Sequence, residues 1–162
     1  MNNFFNTKII CLITLIISII SLLSAIYIEH SIGIKPCKLC IYQRVPYLFA
    51  IFVSFLGYYY SNNKFFINLL ALIFLISFMI SGYHVGIEKE IFSEFSGCTS
   101  QNIELLDKSE ILNSLKNSVV SCKDISFKIL GMSLATINFI ISSILLVLYL
   151  KLLLWKKQIK KK

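Results

Sequence analysis

Four long apolar blocks constrain this chain more than any other feature of its sequence. They cover residues 9–28, 45–60, 65–85 and 129–150, and none contains an Asp, Glu, Lys or Arg. An α-helix of about 20 apolar residues crosses the roughly 30 Å hydrocarbon core of a bilayer. Since 57% of the 162 residues are hydrophobic, against roughly 45–50% in soluble domains, we predict an all-α membrane four-helix bundle. The whole chain, residues 1–162, is predicted to be one integral membrane domain.

Two polar loops connect these blocks on one side of the predicted bundle, at residues 29–44 and 86–128. Within the second loop, residues 103–120 place several leucines near one helical face, which predicts a short amphipathic helix on the membrane or in solvent. Small residues at helical spacing in the first and fourth blocks predict faces where helices pack closely. These residues are Cys11, Thr14, Ser18, Ser21 and Ala25, and Gly131, Ala135, Asn138 and Ser142.

The charges are distributed unequally between the two sides of the predicted bundle. The side with both termini and the turn at 61–64 carries eight Lys and no acidic residue, whereas the loop side carries eight basic and all eight acidic residues. Lys and Arg in short flanks mark the cytoplasmic side of a membrane. The net charge of +8 therefore indicates orientation rather than nucleic-acid binding, with cytoplasmic termini and exoplasmic loops.

The first loop ends in a Cys-x-x-Cys pair, Cys37 and Cys40, followed by Arg44. The thiolate is the reactive form of cysteine, and a cation or a helix N-terminus favours it. On a helix, Arg44 would share a face with Cys40, so we expect it to stabilise a thiolate or an anionic electron acceptor. The pattern favours thiol–disulfide exchange over a structural disulfide or a zinc site, because the second cysteine pair lacks metal-ligand spacing.

Four further residues are candidates for chemistry or packing. Cys98 and Cys122, both in the second loop, indicate either a loop staple or the second pair of a relay between a soluble partner and a membrane acceptor. The four loop cysteines allow three disulfide connectivities. His84 is predicted either as an interfacial histidine or as a hydrogen-bond or proton donor near a quinone-like acceptor. Cys11 is predicted to serve packing.

Three segments together resemble the DsbB family, the disulfide bond formation proteins of bacterial inner membranes. Residues 36–44 match its first-loop motif, Pro-Cys-x-Leu-Cys-x-x-Gln-Arg. Residues 83–88 match the end of its third span, Tyr-His-x-Gly-Ile-Glu, and residues 131–135 match the start of its fourth. The Cys-x-x-Cys precedes the loop pair, whereas it follows that pair in the related vitamin K epoxide reductase family. Ser126 and Phe127 depart from the Pro and Trp that the family often has there.

The resemblance implies a dithiol:quinone oxidoreductase of the bacterial inner membrane. Such a protein reoxidises a periplasmic DsbA-like thioredoxin-fold oxidase and passes the electrons to ubiquinone or menaquinone, with no metal and no nucleic acid. Two alternatives stay open: a DsbI-type paralogue that serves a dedicated partner, and a non-catalytic membrane scaffold held by structural disulfides.

The resemblance also implies a role for each cysteine of the loops. It implies the disulfides Cys37–Cys40 and Cys98–Cys122. The partner would attack Cys98, and Cys37 would exchange with Cys122 during the relay. Cys40 would form the thiolate adduct with the quinone. Two side chains would lie beside the quinone ring: Arg44 and His84.

Overall fold

The computed structural model describes residues 7–60, 63–93, 122–123, 128–129 and 131–159, the side chains of 129 and 155–159 excepted. Within these residues the chain forms four α-helices and one β-hairpin. The helices are α1 (Thr7–Ser31), α2 (Lys38–Tyr59), α3 (Lys64–Glu88) and α4 (Leu134–Ile159). The hairpin strands are β1 (Lys128–Ile129) and β2 (Met132–Ser133). Cys98 and the predicted amphipathic helix at 103–120 lie outside the described residues.

All four helices are long and apolar enough to cross a membrane, which confirms the predicted membrane four-helix bundle. The shortest, α2, has 22 residues and is about 33 Å long at 1.5 Å per residue. Large apolar side chains cover the outside of the bundle, where Ile20, Leu23 and Phe52 are each at least 60% exposed. Because so large an apolar surface is unfavourable in water, this surface suits contact with lipid.

Helix α2 begins at Lys38, well before the predicted span at 45–60. Its N-cap is Cys37, which has an extended backbone and whose Sγ accepts the backbone N–H of Cys40. The cysteine pair therefore lies at a helix N-terminus and not in a loop. As a result Pro46 lies in the helix interior, where it cannot donate the usual hydrogen bond, and not in the first turn, where the predicted span beginning at residue 45 would place it.

Helix α4 begins at Leu134, later than the predicted span at 129–150. The preceding residues form the hairpin, in which Lys128 pairs with Ser133. Gly131 has a φ of +80° in the turn, a conformation that favours glycine. Gly131 therefore belongs to this turn and not to the small-residue face of the fourth helix.

The helices pack around a partly polar interior. Helix α2 packs against α1 and α3, and α3 packs against α4. The hydroxyls of Thr14 on α1 and Tyr149 on α4 lie 2.8 Å apart and share a hydrogen bond, which closes the bundle. Tyr149 also stacks on Phe74 of α3. Cys11, Thr14 and Ser18 are fully buried, which confirms this part of the predicted small-residue face.

A second set of interior hydrogen bonds joins α2, α3 and α4. Tyr47 donates its hydroxyl to Asn138 Oδ1 at 2.5 Å. The hydroxyl oxygens of Ser77 and Ser142 lie 2.8 Å apart. These bonds satisfy polar groups that would otherwise be costly in the membrane interior.

Candidate functional site

The two cysteines of the Cys-x-x-Cys pair are in direct contact at the N-terminus of α2. Cys37 donates its thiol hydrogen to Cys40 Sγ, with the two sulfurs 3.0 Å apart. Cys37 is buried and Cys40 is half-buried. The hydrogen bond to Cys40 and burial raise the pKa of the Cys37 thiol to about 12, against the opposing effect of His84. Cys37 therefore holds its proton tightly, and Cys40 is the sulfur that accepts a hydrogen bond.

His84, in the last turns of α3, belongs to this site. It is 2% exposed, and its Nε2 lies 3.6 Å from Cys37 Sγ. On the other side of the ring, Nδ1 lies 3.0 Å from the side-chain nitrogen of Gln43, which is also buried. Gln43 thus fixes the orientation of the imidazole relative to the sulfurs.

The segment at 122–123 brings a third cysteine to the same point. The donor atoms of Cys37, His84 and Cys122 all lie within 4.8 Å of one another, and all three side chains are buried. We call these three residues the thiol–imidazole cluster. Leu39 and Ile87 pack around it, which limits the access of water.

Glu88 anchors the cluster to the β-hairpin. Its Oε1 lies 3.8 Å from His84 Nε2, and its Oε2 accepts a hydrogen bond of 2.5 Å from the Ser133 hydroxyl. The same Ser133 Oγ accepts the backbone N–H of Thr136 at 3.1 Å and so caps α4. The C-terminal end of α3 is therefore joined to the N-terminal end of α4 through the Glu88 carboxylate.

Arg44 lies one helical turn after Cys40 and forms an ion pair with Glu29 at the end of α1. The distance from Arg44 Nη1 to Glu29 Oε2 is 2.6 Å, and the two side chains are 24% and 32% exposed. The pair holds the guanidinium near the end of the bundle, where its charge stays close to water.

A cavity of about 240 Å³ lies between α1, α2 and α4. Cys40, Arg44 and His84 contribute to its polar end. Apolar side chains of α1 and α4, among them Leu22 and Ile141, form much of the remaining wall. The cavity thus connects a thiol, a cation and an imidazole to an apolar space inside the bundle.

The structure brings together five of the six predicted site residues: Cys37, Cys40, Arg44, His84 and Cys122. The sixth, Cys98, lies outside the described residues, so the predicted pairing of Cys98 with Cys122 stays a prediction. Cys11 packs in the core of the bundle, as expected. Three site residues were not predicted: Glu29, Gln43 and Glu88.

Comparison with known proteins places the chain in a family. The model of the family described as disulfide bond formation protein DsbB matches residues 7–152. The chain belongs to the DsbB family. Membership supports an oxidoreductase role in disulfide bond formation, and with the four apolar helices it indicates a multi-pass protein of the inner membrane.

Several proteins are similar to this DsbB-family chain over most of their length. An uncharacterised protein of Rickettsia prowazekii is 30% identical over 154 residues, which cover 91% of this chain and 88% of that protein. Disulfide bond formation protein B of Acinetobacter baumannii is 30% identical over 125 residues, 72% of this chain and 73% of that protein. The protein of the same name from Pasteurella multocida is 28% identical over 143 residues, 85% and 79% of the two chains.

Proposed function

We propose that this chain is a membrane dithiol:quinone oxidoreductase that reoxidises a DsbA-like thioredoxin-fold protein. One observation carries the proposal: Cys40 touches both the thiol–imidazole cluster and the cavity inside the bundle. A thiol in that position can exchange with cysteines on one side and meet an acceptor on the other.

The thiol side of the site supports a relay between the two cysteine pairs. In the proposed sequence the partner's thiolate attacks Cys98 of a Cys98–Cys122 disulfide, and Cys122 leaves as a thiolate. The partner's second thiolate breaks the mixed disulfide, so the partner leaves oxidised and Cys98 is released as a thiolate. Cys122 then attacks Cys37 of a Cys37–Cys40 disulfide and releases Cys40 as a thiolate. Cys98 attacks Cys122 and releases Cys37, and an acceptor that takes two electrons from the Cys37 and Cys40 thiolates restores their disulfide. Since the sulfurs of Cys37 and Cys122 already lie within 4.8 Å, the exchange between them needs only a small movement of the 122–123 segment.

The cavity side has the features that a quinone headgroup requires. Its volume of about 240 Å³ is smaller than the roughly 300–1,000 Å³ of pockets for drug-sized ligands, so it suits a single ring whose tail lies in lipid. A guanidinium has five N–H donors, so the bond from Arg44 to Glu29 leaves donors for an acceptor oxygen. Arg44 and Cys40 would hold the ring of a bound quinone, which would supply the oxidising power by accepting two electrons and two protons.

Known redox potentials explain why such an acceptor is needed. A DsbA-type dithiol has a reduction potential of about −120 mV, whereas that of ordinary dithiol proteins is about −200 mV. Transferring two electrons from the DsbA-type dithiol to such a protein would therefore be unfavourable by roughly 3.7 kcal/mol. A quinone kept oxidised by respiration removes this cost.

We infer that both termini are cytoplasmic and that the cysteine end of the bundle is periplasmic. The support is the charge distribution. All charged residues on the side with the termini are basic, and short basic flanks stay in the cytoplasm. Disulfides form and persist in the periplasm, so this orientation suits the chemistry.

The test is quinone reduction by the purified protein in detergent. A reduced DsbA-like partner and a ubiquinone or menaquinone analogue are added, and quinone loss is followed by absorbance. We expect quinone loss with the natural chain and with Cys11→Ala, which removes a cysteine of the core. We expect none with Cys40→Ala or Cys98→Ala. The proposal would be overturned if both of these variants still reduced the quinone analogue. It would also be overturned if the folded natural protein reduced neither analogue.

A further inference from the structure

The thiol–imidazole cluster has a property that disulfide exchange does not require. Two thiols and one imidazole from three separate segments meet at one buried point. Thiolate and imidazole ligands together select zinc among the common divalent cations. We propose that the fully reduced site binds one thiophilic divalent cation, with Zn²⁺ as the fitting ion, through Cys37, His84 and Cys122.

The distances within the cluster are close to those of a tetrahedral zinc site. A Zn–S bond is about 2.3 Å long and a Zn–N bond about 2.0–2.1 Å. In a tetrahedral site the sulfur and nitrogen ligand atoms therefore lie about 3.6 Å apart, and two sulfur atoms about 3.8 Å apart. Cys37 Sγ and His84 Nε2 are 3.6 Å apart. All three donor atoms lie within 4.8 Å of one another, so a small contraction completes the geometry.

A fourth ligand and a supporting shell are also present. Cys40 Sγ lies 3.0 Å from Cys37 Sγ; moved to the separation of about 3.8 Å that two sulfurs on one zinc ion require, it takes the fourth position and gives a Cys₃His set. Gln43 contacts Nδ1 of the His84 ring. With its amide turned to accept Nδ1–H, it directs the lone pair of Nε2 toward the sulfurs, as second-shell partners of zinc ligands do.

The spacing of the cysteines in the sequence argues against a zinc site built from the two cysteine pairs. The fold instead brings together two cysteines and a histidine from three segments. The second loop pair has no metal-ligand spacing, but His84 and Cys122 reach Cys37 from α3 and from the 122–123 segment. A disulfide removes thiolate ligands, so cation binding and the oxidised state exclude each other. The cation would therefore hold the site in its reduced form.

Metal uptake by the reduced full-length protein in detergent tests this inference without any quinone. The protein is reduced, freed of reductant under inert gas and titrated with Co²⁺, whose thiolate charge-transfer absorption reports binding; Zn²⁺ then displaces it. We expect one equivalent of Co²⁺ with reduced protein and none with oxidised protein. Cys11→Ala serves as the matched control and should bind as the natural chain does.

Variants assign the binding to the cluster. We expect Cys122→Ser and His84→Ala each to weaken uptake by about 100-fold, and the supporting variant Gln43→Ala to weaken it by about tenfold. Circular dichroism establishes that each variant is folded, and two ligand variants are used so that one remains informative if the other does not fold. Equal uptake by oxidised protein, no uptake by reduced protein, or unchanged uptake in the folded ligand variants would each overturn the inference. Because binding is measured directly, these outcomes are independent of whether the chain reduces quinones.

Discussion

Ser133 makes two separate contributions to the end of the bundle, and substitution can separate them. Its hydroxyl donates to Glu88 Oε2 at 2.5 Å. At the start of α4 it accepts the backbone N–H of Thr136 at 3.1 Å and lies 2.9 Å from Thr136 Oγ1. The residue is 6% exposed, so water cannot easily replace these bonds. Replacing Ser133 by Ala removes the bonds to both Glu88 and Thr136.

The expected loss of stability is the sum of the losses due to the N-cap of α4 and to the hydrogen bond with Glu88. Loss of an N-cap costs about 0.5–2 kcal/mol, and loss of a hydrogen bond to a charged group costs about 1.5–3 kcal/mol. We therefore expect Ser133→Ala to lower the free energy of unfolding by about 2–5 kcal/mol. Glycine retains most of the capping preference, so Ser133→Gly should lose only the part due to Glu88, about 1.5–3 kcal/mol.

The assay is unfolding of detergent-solubilised protein by titration with SDS, with helix content followed by circular dichroism. Ser24→Ala is the matched control, since the Ser24 hydroxyl is exposed and bonds only to a carbonyl of its own helix; it should change the free energy by less than about 0.5 kcal/mol. If Ser133→Gly is as stable as the natural chain, the bond to Glu88 contributes nothing to stability, which would refute the prediction.

Three further predictions concern the interior, the end of α3 and the cavity. Tyr47→Phe should lower the free energy of unfolding by about 0.6–1.7 kcal/mol, the range for hydrogen bonds within membranes, whereas Tyr59→Phe on the exposed surface should leave it unchanged in the same SDS titration. Gly86→Ala would displace the half-exposed Phe92 ring, which its Cβ would overlap, and so should cost at most the stack of Phe92 on Tyr83, about 0.5–1.5 kcal/mol; melting temperatures should show that this loss is absent when Phe92→Ala is made in the same chain. Arg44→Gln should lower kcat/KM for the quinone analogue by about tenfold or more, as expected for losing a charged donor; an unchanged value in steady-state kinetics would remove Arg44 from the acceptor site.

Hydropathy located the four helices because it measures how well a segment tolerates lipid. It could not locate the start of α2, since residues 38–44 include Lys38 and Arg44 and read as a polar loop. The helix continues through them because Cys37 caps it with a sulfur, and sulfur is not among the oxygen-bearing side chains that usually signal an N-cap.

The site residues that sequence reasoning missed are those defined by contacts between helices. Gln43 and Glu29 find their partners in residues 41 and 15 positions away, and a single sequence carries no signal for such pairs. Glu88 offered a weak signal, because it lies one helical turn after His84 and so shares a face with it. The cysteine pair and Arg44 were predictable because their chemistry depends on spacing within one segment.

The hydroxyl bonds inside the bundle have a consequence for how accurately the cysteines are placed. Lipid provides no hydrophobic force between helices, so apolar packing alone leaves neighbouring helices free to slide along each other. A slip of α2 by one turn would displace it by about 5.4 Å, more than the 3.6 Å that separates Cys37 from His84. The bond from Tyr47 to Asn138 opposes such a slip. A hydroxyl in the interior of the bundle thus sets the register on which the contact between Cys37 and His84 at the end of the bundle depends.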